Sequence, residues 1–262
     1  MCVQNYIVVL YSLIMEVTGH NLHIESAEHE PELLFKVTLM RHEKPYYKDQ
    51  GHDLTPEGVE GALNTGRKLK EEGQISDGDE IFLAHSPTVR AKGTLDFVAE
   101  GAGLSELPKT SVDQLRKSDM PHSGAFMDRV KELDFDQEKI AKDHYTHPMH
   151  ENNPDIIEPH SHKKERLYRT FEHLIRWFEK HPVENKTPHI IAVSHFEIVT
   201  HLINDVFGIE TFGKFNVPAF GEQVYIEAYE SDSDDEVALK VRYDSQTRDV
   251  IFDRKTRSIE IK

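Results

Sequence analysis

The sequence predicts an α/β protein of three layers, α/β/α, with helices on both faces of a mostly parallel central sheet. Three observations carry that prediction. Short apolar runs rich in β-formers recur at Phe35–Met40, Glu80–Ala84 and His189–Val193. Each is followed by a stretch of helical periodicity, the alternation that builds βαβ units. Each also ends in polar or cationic residues, Arg41-His42, His85-Ser86 and Ser194-His195, and the crevice beyond the carboxyl ends of such strands is where open α/β sheets bind ligands.

Taken in order, the chain begins with an apolar run, Tyr6–Met15, too short to span a bilayer and without a basic leader or a small-residue cleavage pattern. It reads as non-secretory; an extra strand, an amphipathic anchor and a segment upstream of an internal start at Met15 all fit it. Residues 1–32 are therefore expected to be an extension or linker, and 33–262 one domain. The first core strand ends at Arg41. In the stretch that follows, Thr55 is placed to cap a helix, Pro56 to occupy its first position and Glu57 to meet the positive end of its dipole. That helix is expected to run to about Glu72, with Gly73 closing it. The second strand, Glu80–Ala84, leads to a helix from about Thr88 to Gly101 that carries Arg90 in its first turns. A third unit pairs the helix Arg166–Lys180, apolar at Leu167, Phe171, Leu174, Ile175 and Phe178, with the strand His189–Val193 and a further helix through Ile198, Val199, Leu202 and Ile203.

Between Met120 and Lys164 the periodicity fades, so an insertion or lid is expected at about 120–164. Its histidines, His144, His147, His150, His160 and His162, have no cysteine or matched second cluster beside them, and read as solvated surface groups rather than metal ligands. The C-terminal stretches GEQVYIEAYE, VALKVRYD and DVIFD suggest a hairpin or meander added to the sheet, with the acidic run Asp232–Glu236 as a turn.

Composition narrows the function. With 47 acidic against 31 basic residues, the net charge of −16 argues against nucleic acid or an anionic membrane as partner. The single cysteine, Cys2, excludes an internal disulfide and fits a reducing, cytoplasmic compartment. A guanidinium next to an imidazole at a strand end makes a good anion site, with phosphate the natural guest.

The motifs LMRHEKP, LTPEG, HSPTVRA and IIAVSHFE, in this order, resemble those of the histidine phosphatase superfamily, the fold of phosphoglycerate mutases and many small phosphatases. The resemblance runs from about Leu34 to the C-terminus. It implies His42 as nucleophile, Arg41 and Arg90 as phosphate ligands, His195 as the second histidine of the site, and no metal or other cofactor. The expected activity is hydrolysis of a small-molecule phosphomonoester or a phosphoprotein through a phosphohistidine. A non-catalytic relative that binds a phosphorylated ligand or partner is the alternative, and a phosphoglycerate-type mutase ranks below both.

The chain departs from the family pattern at three places. Glu43 stands where the first motif usually has glycine, Lys117 where the family's proton-donating glutamate is expected, and Tyr46, Tyr47 and Lys48 near its phosphate-contacting asparagine. Those aromatics either line a specificity pocket or pack their own loop. Three carboxylates, Glu43, Asp119 and Glu197, are candidates for the missing acid. Glu197 is favoured, because His195-Phe196-Glu197 resembles the His-Ala-Glu arrangement by which inositol polyphosphate phosphatases, in another branch of the superfamily, place their donor.

Overall fold

A computed structural model describes residues 31–48, 50–134, 136, 139–140, 142–143, 149–208 and 218–261. The expectations for residues 1–30 lie outside them, as do those for His144 and His147 and for the side chain of His150. The strands are β1 (Leu33–Arg41), β2 (Asp79–His85), β3 (Lys109–Ser111), β4 (Thr187–Ser194), β5 (Gln223–Tyr229), β6 (Glu236–Tyr243), β7 (Gln246–Asp253) and β8 (Ser258–Ile261). The helices are α1 (Pro56–Glu71), α2 (Val89–Ala102), α3 (Ser123–Glu132), α4 (Met149–Asn152), α5 (His160–Lys180) and α6 (Phe196–Phe207).

Among the described residues the strands form one sheet in the order β3-β2-β4-β1-β5-β6-β7-β8. Its core, β3-β2-β4-β1, is parallel, and the predicted meander, β5 to β8, continues it antiparallel from β1. Because side chains alternate across a strand, β1 and β4 feed two cores. Phe35, Val37, Leu39, Ile190 and Ala192 face α5 and α6, while Met40, Ile191 and Val193 face α1 and α2.

Several local signals act as the sequence requires. Thr55 caps α1 by accepting from Gly58 N–H, with Pro56 opening the helix. Thr88 caps α2 by accepting from Ala91 N–H, and Gly103 closes it in the left-handed conformation. The acidic run is the β5–β6 turn as far as Asp235, and β6 starts at Glu236.

The insertion differs from the expected loop. It contains α3, a helix whose single buried side chain is Val130, so it carries almost no apolar period. Ion pairs from Arg129 to Glu132 (2.7 Å) and Asp143 (2.6 Å) hold it instead. Helix α5 likewise starts at His160, six residues before the expected start at Arg166. Its first turn buries Lys163 completely, and a charged residue gives no apolar signal. The edge strand β8, four residues long with exposed Glu260 and Ile261, had no sequence signature.

Candidate active site

Register brings the strand ends to one level. Arg41 lies opposite Ser194 and His85 opposite Val193, so the residues that follow share one edge. Backbone bonds extend the match past the strands: His42 N–H donates to Ser194 O (2.9 Å) and Ser86 N–H to Val193 O (2.9 Å).

His42 is buried and its Nδ1 lies 2.8 Å from the Glu43 carbonyl oxygen. A carbonyl only accepts, so the proton sits on Nδ1 and Nε2 keeps its lone pair. Arg90 Nε–H donates to that Nε2 at 3.3 Å. Burial, reinforced by His195, pulls the His42 pKa down to about 3, so the ring is neutral at physiological pH.

The other expected phosphate ligands converge on it. Arg41 Nη1 donates to Pro218 O at 2.7 Å, whereas its buried Nε has no partner among the described residues. That is a donor available to an anion. Burial lowers the Arg41 pKa, opposed by Tyr47, Glu197 and Glu222. Arg90, in the first turn of α2, is buried, and Thr94 ties it to the loop after β1: the Thr94 hydroxyl donates to Arg90 O (2.9 Å) and accepts from Glu43 N–H (2.9 Å). His195 follows β4, its ring 5.1 Å from that of His42 and nearly perpendicular. Its Nε2 is 2.7 Å from Ser86 Oγ. Burial, helped by Arg90 and Lys117, holds the His195 pKa well below the usual value. The structure thus brings Arg41, His42, Arg90 and His195 together.

The three candidate acids separate. Asp119 turns outward and pairs with Arg116 at 2.9 Å. Glu43 packs its carboxylate between Gly61 and Gly221, where an added Cβ at either glycine would collide with it; Gly221 also has φ +73°, a second reason for glycine there. Burial raises the Glu43 pKa. Glu197, buried at the start of α6, accepts from Ser118 N–H at 3.2 Å.

Beneath Glu197 lies a charged layer. Lys163, fully buried with its pKa lowered by burial to about 8, interacts with Glu197 and Glu158. Arg166 pairs with Glu158 at 2.7 Å and donates to the carbonyls of Gln114 (2.6 Å) and Arg116 (3.0 Å). With the bond from Ser194 Oγ to Leu115 O (2.8 Å), this layer fixes the 114–118 segment, and exposed Lys117 acts electrostatically on His195.

Sequence reasoning missed Phe220, whose ring covers the Arg41 guanidinium at 3.9 Å; it lies far along the chain from any motif. Ser86 is the Ser-Pro serine of the second strand end, and its bond to His195 needed the fold to be seen. Among the described residues no group of three or more His, Cys, Asp or Glu is arranged to hold a metal ion, and no helix is long and apolar enough to cross a membrane. His160 instead packs edge-on to His201, ring centroids 5.3 Å apart.

At the carboxyl ends of the strands of an α/β sheet, two arginines and two neutral imidazoles make a site whose charge and donors suit an anion. The model of the histidine phosphatase superfamily, branch 1, matches residues 37–233, and the chain belongs to that family. The superfamily includes phosphatases and mutases. Among solved structures, a phosphoglycerate mutase from Bacillus anthracis str. Sterne superposes with a TM-score of 0.53 at 18% identity, covering 76% of this chain and 92% of that one. A mycobacterial glucosyl-3-phosphoglycerate phosphatase gives 0.52 at 14%, covering 80% and 97%. At these identities the likeness is one of fold. No curated protein sequence matches the chain.

Proposed function

We propose that the protein is a phosphomonoester hydrolase that works through a phosphohistidine at His42. The observation that carries this reading is the His42 ring itself: Nδ1 committed to the Glu43 carbonyl, Nε2 unprotonated and facing Arg90. In the first step Nε2 attacks phosphorus, the bond from phosphorus to the alcohol oxygen breaks, and that oxygen keeps the electron pair. Arg41, Arg90 and His195 hold the equatorial oxygens as their charge develops. Water then attacks the phosphohistidine, releasing phosphate and restoring the imidazole. The single cysteine supports a cytoplasmic setting.

The test is trapping with a labelled phosphomonoester, which should give an acid-labile, base-stable adduct at His42. His42→Ala should lose turnover on the order of 10⁴-fold or more; full activity in that variant would end the catalytic reading. Lys117 at the expected acid position favours a second reading, a relative that binds a phosphorylated small molecule or protein without turning it over. Binding of phosphate with no adduct at His42 would select it.

A further inference from the structure

We propose that Tyr47 and Phe220 form an aromatic slot at the mouth of the phosphate site, and that the substrate is the phosphomonoester of a flat aromatic alcohol. This rests on the phosphatase reading and names its substrate class.

Tyr47 sits at φ +59°, a left-handed conformation that is unfavourable for a bulky L-residue. Its side chain does not recover that by burial, since the residue is 64% exposed. Its loop enforces the conformation: Pro45 bridges to Leu54, Tyr46 N–H donates to Asp53 O (2.9 Å) and Lys48 N–H to Asp53 Oδ1 (2.7 Å). What the strain accomplishes is placement. The Tyr47 ring lies 5.7 Å from the Arg90 guanidinium carbon, and Tyr47 acts electrostatically on Arg41. Phe220, half-buried, stacks on Arg41 at 3.9 Å and lies 5.8 Å from the His42 ring. Both rings therefore stand on the groups that hold the phosphoryl unit, where the alcohol portion of a bound ester must pass.

The acid inventory points the same way. Asp119 is paired with Arg116, Glu43 is wedged between glycines and Glu197 holds Ser118, while a cation, Lys117, acts on His195. An aliphatic alkoxide must be protonated as it leaves. An aryl oxide, of about the acidity of a tyrosine phenol with a pKa near 10, leaves with its electron pair and takes a proton from solvent afterwards, and a nearby ammonium favours the anion.

The experiment separates ring recognition from leaving-group chemistry by measuring kcat/KM of the full chain on phenyl, benzyl and cyclohexylmethyl phosphates. Benzyl and cyclohexylmethyl esters both release alkoxides and differ in having a flat ring. Benzyl should be preferred about fivefold, mainly through KM, as aromatic contacts allow. Phenyl phosphate should exceed benzyl by on the order of 10²-fold in kcat. Tyr47→Leu and Phe220→Leu should each bring the benzyl preference below about twofold, while Tyr47→Phe retains it. Equal use of benzyl and cyclohexylmethyl esters, or a preference that survives both leucine variants, with His42 still phosphorylated, overturns the slot and leaves the phosphatase standing. Hydrolysis of none of the esters and no adduct at His42 overturns both.

Discussion

The two sides of the site are built by different physics. On the strand-end side, Arg41, His42 and His195 hang from the ends of adjacent parallel strands, and backbone hydrogen bonds from His42 to Ser194 and from Ser86 to Val193 set their level. On the other side, the 114–118 segment has only a short 3₁₀ turn, Asp113–Leu115. Side chains hold it: Arg166 on two of its carbonyls, Glu197 on Ser118, and Lys163 and Glu158 behind them. A sheet positions groups through the covalent backbone, so single side-chain changes barely move them. A loop held by buried charges depends on each partner, because removing one leaves the other desolvated with less of its charge compensated.

That contrast predicts where substitutions act. Arg166→Leu should be the most damaging on the loop side, lowering stability by about 3 kcal/mol in urea unfolding, and lowering turnover while inorganic phosphate still competes for the strand-end site. Recovery of part of that stability in the double variant Arg166→Leu/Glu158→Leu would confirm that the loss comes from the stranded carboxylate. A neutral Arg166→Leu would break the comparison. Glu197→Gln should have a smaller effect, about tenfold in kcat and equal for alkyl and aryl phosphates, since amide oxygen can still accept from Ser118 N–H. A loss on the order of 10²-fold confined to alkyl phosphates would instead make Glu197 the proton donor.

A further effect is on acid stability, through buried histidines of the sheet. Burial lowers His42 to about 3 and, within strand β4, His189 to about 4. Below the unfolded value near 6.5 the unfolded chain binds protons that these folded rings refuse, so stability is full above pH 6.5 and declines toward pH 4. Each ring contributes up to about 1.4 kcal/mol per pH unit. His189→Asn should flatten the fall of Tm with acid between pH 6.5 and 4; an unchanged slope would show that the ring is protonated in the fold.

The same contrast marks what was legible. Thr55, Pro56, Thr88 and Gly73 announced the helix ends because capping is local. Arg41, His42 and His195 were visible as polar residues closing apolar runs whose period shows in a few residues, whereas their roles, and Arg90 in the helix after the second strand, came from the resemblance of the motifs to the histidine phosphatase superfamily. Helix α3 and the first turn of α5 were not legible, since ion pairs rather than apolar stripes hold them. Nor could the sequence separate Glu43, Asp119 and Glu197.

By itself, then, the sequence determined the alternation of strands and helices, the polar ends of three core strands, and the residues those ends present, all consequences of local propensity and a period of two or 3.6 residues. Only the tertiary structure decided which groups face one another. Strand β4 inserts between β1 and β2 and so sets His195 edge-on to His42. The turn before β5 lays Phe220 on Arg41, and Arg116 draws Asp119 away to the exterior. The first two of these contacts join residues far apart in the chain through packing, and no short stretch of sequence contains both partners; Arg116 and Asp119 are near neighbours in the chain, and only the path of their loop turns the pair outward.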